Sequence, residues 1–228
     1  MFGRRFLGIA LALSLIPTPV PGNPSPLGVV TQATAANLGT GPVSVGASIY
    51  DGDHLSTDTD GALTIRGGAA MLYLARESRM TLRASAADSG GREAQLAAGT
   101  LVFSVSQAAA LEILADNAGI RPTANTPTVG QITIVGPRTL DVYARQGALS
   151  FSYEDETEVI PEGKSYRVML DPPDDDSTTT TANKPSAPDP RQPASGRHRR
   201  FLLILLGVGA AIGTIIRKLD ESESPDHP

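Results

Sequence analysis

Between residues 27 and 170 apolar and polar side chains alternate with a period of two, in short runs separated by glycine-bearing turns. A strand turns successive side chains to opposite faces, so this pattern demands half-buried β-structure and fits a helix badly. Met80 and Leu82 alternate with Arg79, Thr81 and Arg83; Leu101, Phe103 and Val105 alternate with Val102 and Ser104. Ile132 and Ile134 flank Thr133, and Leu140, Val142 and Ala144 alternate with Asp141, Tyr143 and Arg145. Leu149, Phe151 and Tyr153 oppose Ser150, Ser152 and Glu154, while Tyr166, Val168 and Leu170 oppose Ser165 and Arg167.

Turn signals sit between these runs: Gly39-Thr-Gly41, Asp51-Gly52-Asp53, Asp60-Gly61, Gly67-Gly68, Gly90-Gly91 and Glu162-Gly163. Asp-Gly and Gly-Gly supply the positive φ that tight hairpins need. The spacing predicts an all-β antiparallel sandwich, barrel or elongated solenoid-like stack over residues 27–170. The only internal rival for a helix is Ser104–Asn117, where Ala108–Ala110 raise helix propensity. Aromatic residues are 4% of the chain and Trp is absent, so the core must come from Val, Ile, Leu and Ala.

Two apolar segments flank this middle. Phe6–Ile16 follows Arg4-Arg5 and precedes Pro17, Pro19 and Pro21. A basic start and an 11-residue apolar stretch, too short to span a bilayer, predict a signal peptide or signal-anchor over residues 1–22. Ala33-Thr34-Ala35 has the form of a cleavage site but lies far downstream. Near the other end, Phe201–Ile216 runs 16 residues without a charge between Arg200 and Arg217-Lys218. As a helix it spans about 24 Å. Snorkelling basic flanks make up the difference to the hydrocarbon core, so a transmembrane helix is expected over residues 201–218. Gly209 and Gly213 would let two such helices approach closely, giving a homodimer contact.

Residues 171–200, rich in Pro, Thr and Asp, cannot bury enough apolar surface to offset chain entropy and are expected to form a disordered tether. As a coil their root-mean-square reach is roughly 30 Å. An acidic tail, residues 219–228, closes the chain. Arg197, Arg199 and Arg200 before the helix favour that flank inside, whereas export by the N-terminal segment favours the opposite. Long exported domains translocate largely regardless of charge, so the β-region is placed in the periplasm, outside a single-pass inner-membrane anchor.

Net charge is −5, and residues 27–170 alone hold 10 basic and 15 acidic side chains. Nucleic-acid binding needs a concentrated positive surface and is not expected. The absence of cysteine excludes disulfides, thiolate catalysis and Cys-ligated zinc.

One stretch has a known likeness. Val45-Gly-Ala-Ser-Ile-Tyr-Asp-Gly52-Asp53-His-Leu-Ser-Thr57-Asp-Thr-Asp-Gly61-Ala-Leu-Thr-Ile65 resembles the opening of a FecR domain, with its Gly-Asp, Thr and Gly spaced around two short strands. Leu96-Ala-Ala-Gly99-Thr-Leu-Val-Phe103 resembles the family's next hairpin. Val142–Phe151, with Gly147, and Val159–Tyr166, with Gly163, resemble its closing units. The likeness covers about residues 43–166; Ile132–Pro137 departs from the usual Gly-Thr-x-Phe. It implies an extracytoplasmic β-module of the kind carried by membrane-anchored regulators of sigma factors. Five residues precede Phe6 and ten follow Lys218, so the anti-sigma segment of those regulators is not expected, and a stand-alone envelope module is.

Turn chemistry accounts for Gly52, Asp53, Thr57, Gly61, Gly99, Gly147 and Gly163 as structural positions. Asp53 is expected to accept a hydrogen bond from its own downstream backbone, and Thr57 to do the same at the strand entry. Asp51, Asp53, Asp58 and Asp60 are oxygen-rich enough to suggest calcium, but two Asp-bearing turns explain them equally well. His54 stands alone between the apolar segments and makes neither metal site nor triad. Glu154, Asp155, Glu156 and Glu158 read as a solvated loop in preference to a glycosidase pair. Tyr143, Tyr153 and Tyr166 are candidates for an exposed binding stripe, although Tyr153 and Tyr166 fall on faces that the alternation buries. The expectation is a non-catalytic, cofactor-free envelope protein that meets a protein or cell-wall component through its sheet surface or edges. The alternative is a transmembrane regulator of the FecR type acting on transcription.

Overall fold

The computed structural model describes residues 25–85, 90–171 and 200–208. Fifteen strands account for most of the described residues. They are β1 (Gly28–Leu38), β2 (Gly41–Pro42), β3 (Ser48–Ile49), β4 (Asp53–Gly67), β5 (Ala70–Leu74), β6 (Arg79–Ala84) and β7 (Arg92–Val105). After a single 3-10 turn at Ala108–Ala110 come β8 (Leu111–Ala115), β9 (Ala118–Pro122), β10 (Thr128–Gly136) and β11 (Thr139–Gln146). Then follow β12 (Leu149–Tyr153), β13 (Glu156–Ile160), β14 (Lys164–Leu170) and β15 (Phe201–Val208).

All fifteen belong to one hydrogen-bonded sheet that forks at β7. The first half of β7 pairs with β6 on one edge and, in parallel, with β8 on the other. Its second half pairs with β5 and β10. One branch continues β8-β9-β12-β13 and the other β10-β11-β14-β15. A straight strand of this length would hold its ends about 40 Å apart. Yet Gly91, just before β7, lies against the carbonyl of Ala109, just after it. Strand β7 is therefore bent back on itself. β4 does the same: Asp53–Ser56 pair with β6 while Leu63–Gly67 pair with β5. Between those halves, Asp58–Gly61 bulge out opposite the single residue Ala35 of β1. Strands that switch layers through a bulge are how two packed sheets make a corner.

The two branches face one another across a single core. Ile113, Ile120, Leu149 and Phe151 from one meet Ile132, Leu140, Val142 and Val168 from the other. Of what the alternation predicted, the described residues show an all-β fold, its strands joined in one sheet that forks at β7. Its inward residues follow the period of two: Met80, Leu82, Leu101, Phe103, Leu140, Val142, Leu149 and Phe151 are almost wholly buried.

Two elements differ from expectation. Ser104–Asn117 holds only the Ala108–Ala110 turn, and Leu111–Ala115 extend into β8, which lets Leu111, Ile113 and Ala115 enter the core. The helix expected from residue 201 is not found over Phe201–Val208. These residues pair antiparallel with β14, from Leu170↔Phe201 to Lys164↔Val208. Edge-on packing of Phe201 against Phe151, with ring centroids 5.1 Å apart, seats the strand. Among the described residues no helix is long and apolar enough to cross a membrane. Residues 1–22, most of the 171–200 tether, Gly209, Gly213 and the tail lie outside the described residues.

The bend in β7 rests on Gly99. Its φ is +80°, and a Cβ there would sit 2.2 Å from Ser78 Oγ and 2.7 Å from the Glu77 carbonyl. Gly163 has a similar φ of +75° but open space around it. Gly99→Ala is expected to cost about 2 kcal/mol or more, and Gly163→Ala about 1 kcal/mol. Urea unfolding followed by circular dichroism checks the ordering.

Candidate functional site

Of the residues picked out from sequence, Thr57, Gly61 and Gly99 gather at the corner, while Gly52, Asp53, Gly147 and Gly163 lie at turns or bends. Thr57 is buried in the middle of β4, where its hydroxyl donates to the Ala75 carbonyl and accepts from Ser78 N at 3.0 Å. Ser78, fully buried, accepts in turn from Thr100 N at 2.9 Å and donates to the Arg76 carbonyl at 3.0 Å. Thr57, Ser78, Gly99 and Thr100 thus tie β4, the β5–β6 connection and β7 together at the point where two strands change layer. Gly61 closes the β4 bulge; a Cβ there would sit 2.5 Å from the Ala35 carbonyl and 2.6 Å from Asp58 N. Thr57 therefore reaches across to a neighbouring connection and does not cap its own strand.

Asp53 does act in a turn, but toward upstream backbone: Tyr50 N donates to its carboxylate at 2.8 Å. Gly52, with φ +81°, shares that turn, and Asp51 accepts from Ala84 N at 2.8 Å. Asp58 and Asp60 belong to the bulge, away from Asp51 and Asp53 along β4. Among the described residues no three His, Asp or Glu side chains form a group able to hold a metal. His54 is exposed, its Nδ1 2.8 Å from the Thr81 hydroxyl. Gly147 has φ +70° and fits against Thr128.

The acidic run is not a free loop. Glu154 pairs with the Arg200 guanidinium at 2.6 Å, and Glu156 accepts from Arg200 N at 3.1 Å. Asp171 N donates to the Arg200 carbonyl at 2.9 Å. Two carboxylates and one backbone donor clasp the residue that opens β15.

The three tyrosines do not share a surface. Tyr153 is buried and its hydroxyl donates to the Asp171 carbonyl at 2.9 Å; Tyr166 packs on the main core. Tyr143, out of phase with Val142, lies on the opposite, outer face. There it joins a cross-strand row that runs Thr64, Tyr73, Val102, Gln131, Tyr143, Ser165 over β4, β5, β7, β10, β11 and β14. Tyr73, Ala75 and Val102 form a small outer cluster, with Met71, Ala62 and Tyr143 packed against it. Val102, outward by parity, is wholly buried beneath its neighbours.

The adjoining row is polar. Thr100 and Thr133 hydroxyls lie 3.0 Å apart, and Gln131 Nε2 donates to Thr133 Oγ1 at 3.2 Å. Gln131 Oε1 is buried without a hydrogen-bond partner, an uncommon state for an amide oxygen. Arg167 makes a two-pronged pair with Asp141, at 2.7 and 2.8 Å, which holds the guanidinium pKa above its usual value. The face therefore offers phenols, an amide, hydroxyls and a self-cancelling ion pair. Such a surface suits neutral, hydrogen-bonding ligands better than charged ones. Tyr73, Thr100 and Gln131 were missed from sequence; the signal available was their parity, opposite to Leu72, Leu101 and Ile132.

No protein-family model matches the chain, and no curated protein matches it either. Two solved structures of a candidate anti-sigma factor from Parabacteroides distasonis are similar, with TM-scores of 0.43 and 0.41 and sequence identities of 11% and 10%. Each likeness covers 51% of this chain and 54% of the other, so the chain spans about half the length of those proteins.

Thr57→Val removes the hydroxyl that receives Ser78 N and strands a buried donor. It is expected to lower unfolding free energy by about 1–3 kcal/mol in urea titrations. Burial raises the Tyr73 phenol above its ordinary value of 10.0. Its stabilising share is whole below pH 10 and is lost as pH climbs beyond that value toward the raised pKa. Tyr73→Phe should flatten that part of the alkaline fall, measured as melting temperature between pH 9 and about pH 12.

Proposed function

We propose that this is a non-catalytic, membrane-anchored envelope protein whose FecR-like β-domain meets a protein or cell-wall component through the outer face built on Tyr73, Val102, Gln131 and Tyr143. The observation that carries this reading is the unpartnered, buried Gln131 Oε1 set between Val102 and Tyr143 on the outer face of the sheet. A donor from a ligand would complete its hydrogen bonding, and the Tyr143 ring would supply apolar contact beside it. Placement outside the cytoplasm rests on the apolar segments Phe6–Ile16 and Phe201–Ile216 and their basic flanks. The regulator reading rests on the FecR resemblance alone.

A photoreactive phenylalanine analogue at position 143, in the full chain within living cells, tests the face. Ultraviolet light should yield a covalent adduct of higher mass at position 143 and none at Arg79, an exposed control on another part of the sheet. Absence of any adduct at 143 overturns the reading. Protease added to spheroplasts should digest the β-domain; survival of the domain would overturn the address.

A further inference from the structure

Strand β15 is an unusual edge. Leu202, Ile204, Leu205 and Leu206 are each 41–56% exposed, and no charge interrupts Phe201–Val208. Sheet edges are ordinarily protected by lysine, proline or a covering element. Only Phe201 is buried and Leu203 half-buried against the core, and a register shift interrupts the pairing between Ser165 and Tyr166 of β14. Beyond its ladder with β14, the strand is anchored at its first residues, by the aromatic seat on Phe151 and the clasp on Arg200.

The same eight residues are half of the uncharged run that ends at Ile216. A bilayer core is about 30 Å thick. The whole run spans about 24 Å as a helix, which basic flanks can extend. With Phe201–Val208 kept in the sheet, Gly209–Ile216 remain, and eight residues reach only about 12 Å. The segment cannot serve the sheet and cross the membrane at once.

We propose that Phe201–Val208 exchanges between the β14 edge and the bilayer, acyl chains replacing the sheet as its partner, so that edge docking and membrane spanning are alternative states. This rests on the membrane-anchored reading above. The consequence is a variable stand-off. With β15 docked, Arg200 is hydrogen-bonded to Asp171 and the apolar segment begins at the domain surface. With β15 released, residues 172–199 separate the two, reaching roughly 30 Å as a coil. The partner is identified by chemistry: four exposed aliphatic side chains in a charge-free run bounded by arginine and lysine fit a lipid interior and its polar boundary.

The chain contains no cysteine, so an introduced pair reports cleanly. Met169 and Leu202 lie directly opposite in the β14–β15 register. Full-length protein carrying Met169→Cys and Leu202→Cys is mixed with phosphatidylethanolamine–phosphatidylglycerol vesicles, floated on a density gradient and oxidised. A companion with Ile212→Asp and Ile215→Asp added is kept from inserting. The companion should stay at the bottom of the gradient and form the disulfide readily. The floated chain should form it at least ten-fold less. Chain oxidised before vesicles are added should float at least ten-fold less, with flotation restored by reduction. Failure of the reduced chain to float overturns the membrane reading itself. Flotation with cross-linking equal to the companion's, or no cross-linking in either, overturns the exchange while leaving the anchor standing.

Discussion

Everything in this fold depends on two strands bending at one place. β4 and β7 each serve both layers, and they turn beside one another where Thr57, Ser78, Gly99 and Thr100 meet. A corner inside a buried sheet leaves backbone donors and acceptors without ladder partners, and burial makes that costly. Here side-chain hydroxyls take over: Thr57 serves Ala75 and Ser78, while Ser78 serves Arg76 and Thr100. Glycine at 99 is required because Ser78 occupies the space a side chain would need. The short return from β7 to its parallel neighbour β8 is open only because the bend has already brought the ends of β7 together.

Much of the interior was legible from alternation. Side chains such as Leu82, Phe103, Val142 and Phe151 declare their face because the parity of a strand leaves them no other choice. The corner was half legible. Thr57, Gly61 and Gly99 stood out as positions, but as turn residues, since local chemistry carries no information about a serine some twenty residues away. Asp60-Gly61 looks like a hairpin and is a bulge, because β1 continues past it on the other side. The outer row escaped notice for a different reason: Val102 and Gln131 become buried only when Tyr73 and Tyr143 lean in from separate strands. In Phe201–Val208 both parities are apolar, so the run shows no period and serves strand and helix equally.

The molecule presents two surfaces of opposite character. The outer face of β5, β7, β10 and β11 carries the Thr100–Thr133 hydroxyl pair, Asp141 held by Arg167, and a buried amide oxygen of Gln131 that has no partner. The edge at β15 is greasy and held by a few contacts at one end. Ion pairs hold some of the sheet's charge locally, at Arg121–Glu112, Arg167–Asp141 and Arg200–Glu154. Recognition on such surfaces depends on shape, hydrogen-bond direction and solvent exclusion.

The hydrogen bond between Asp171 and Arg200 has an evolutionary corollary. Because that contact joins the two ends of the intervening stretch, the stretch is a closed excursion as far as the sheet is concerned. Closure entropy rises only with the logarithm of length, so a doubling costs about 0.6 kcal/mol. Insertions and deletions there would be nearly silent in stability, leaving its length free to drift without disturbing the sheet.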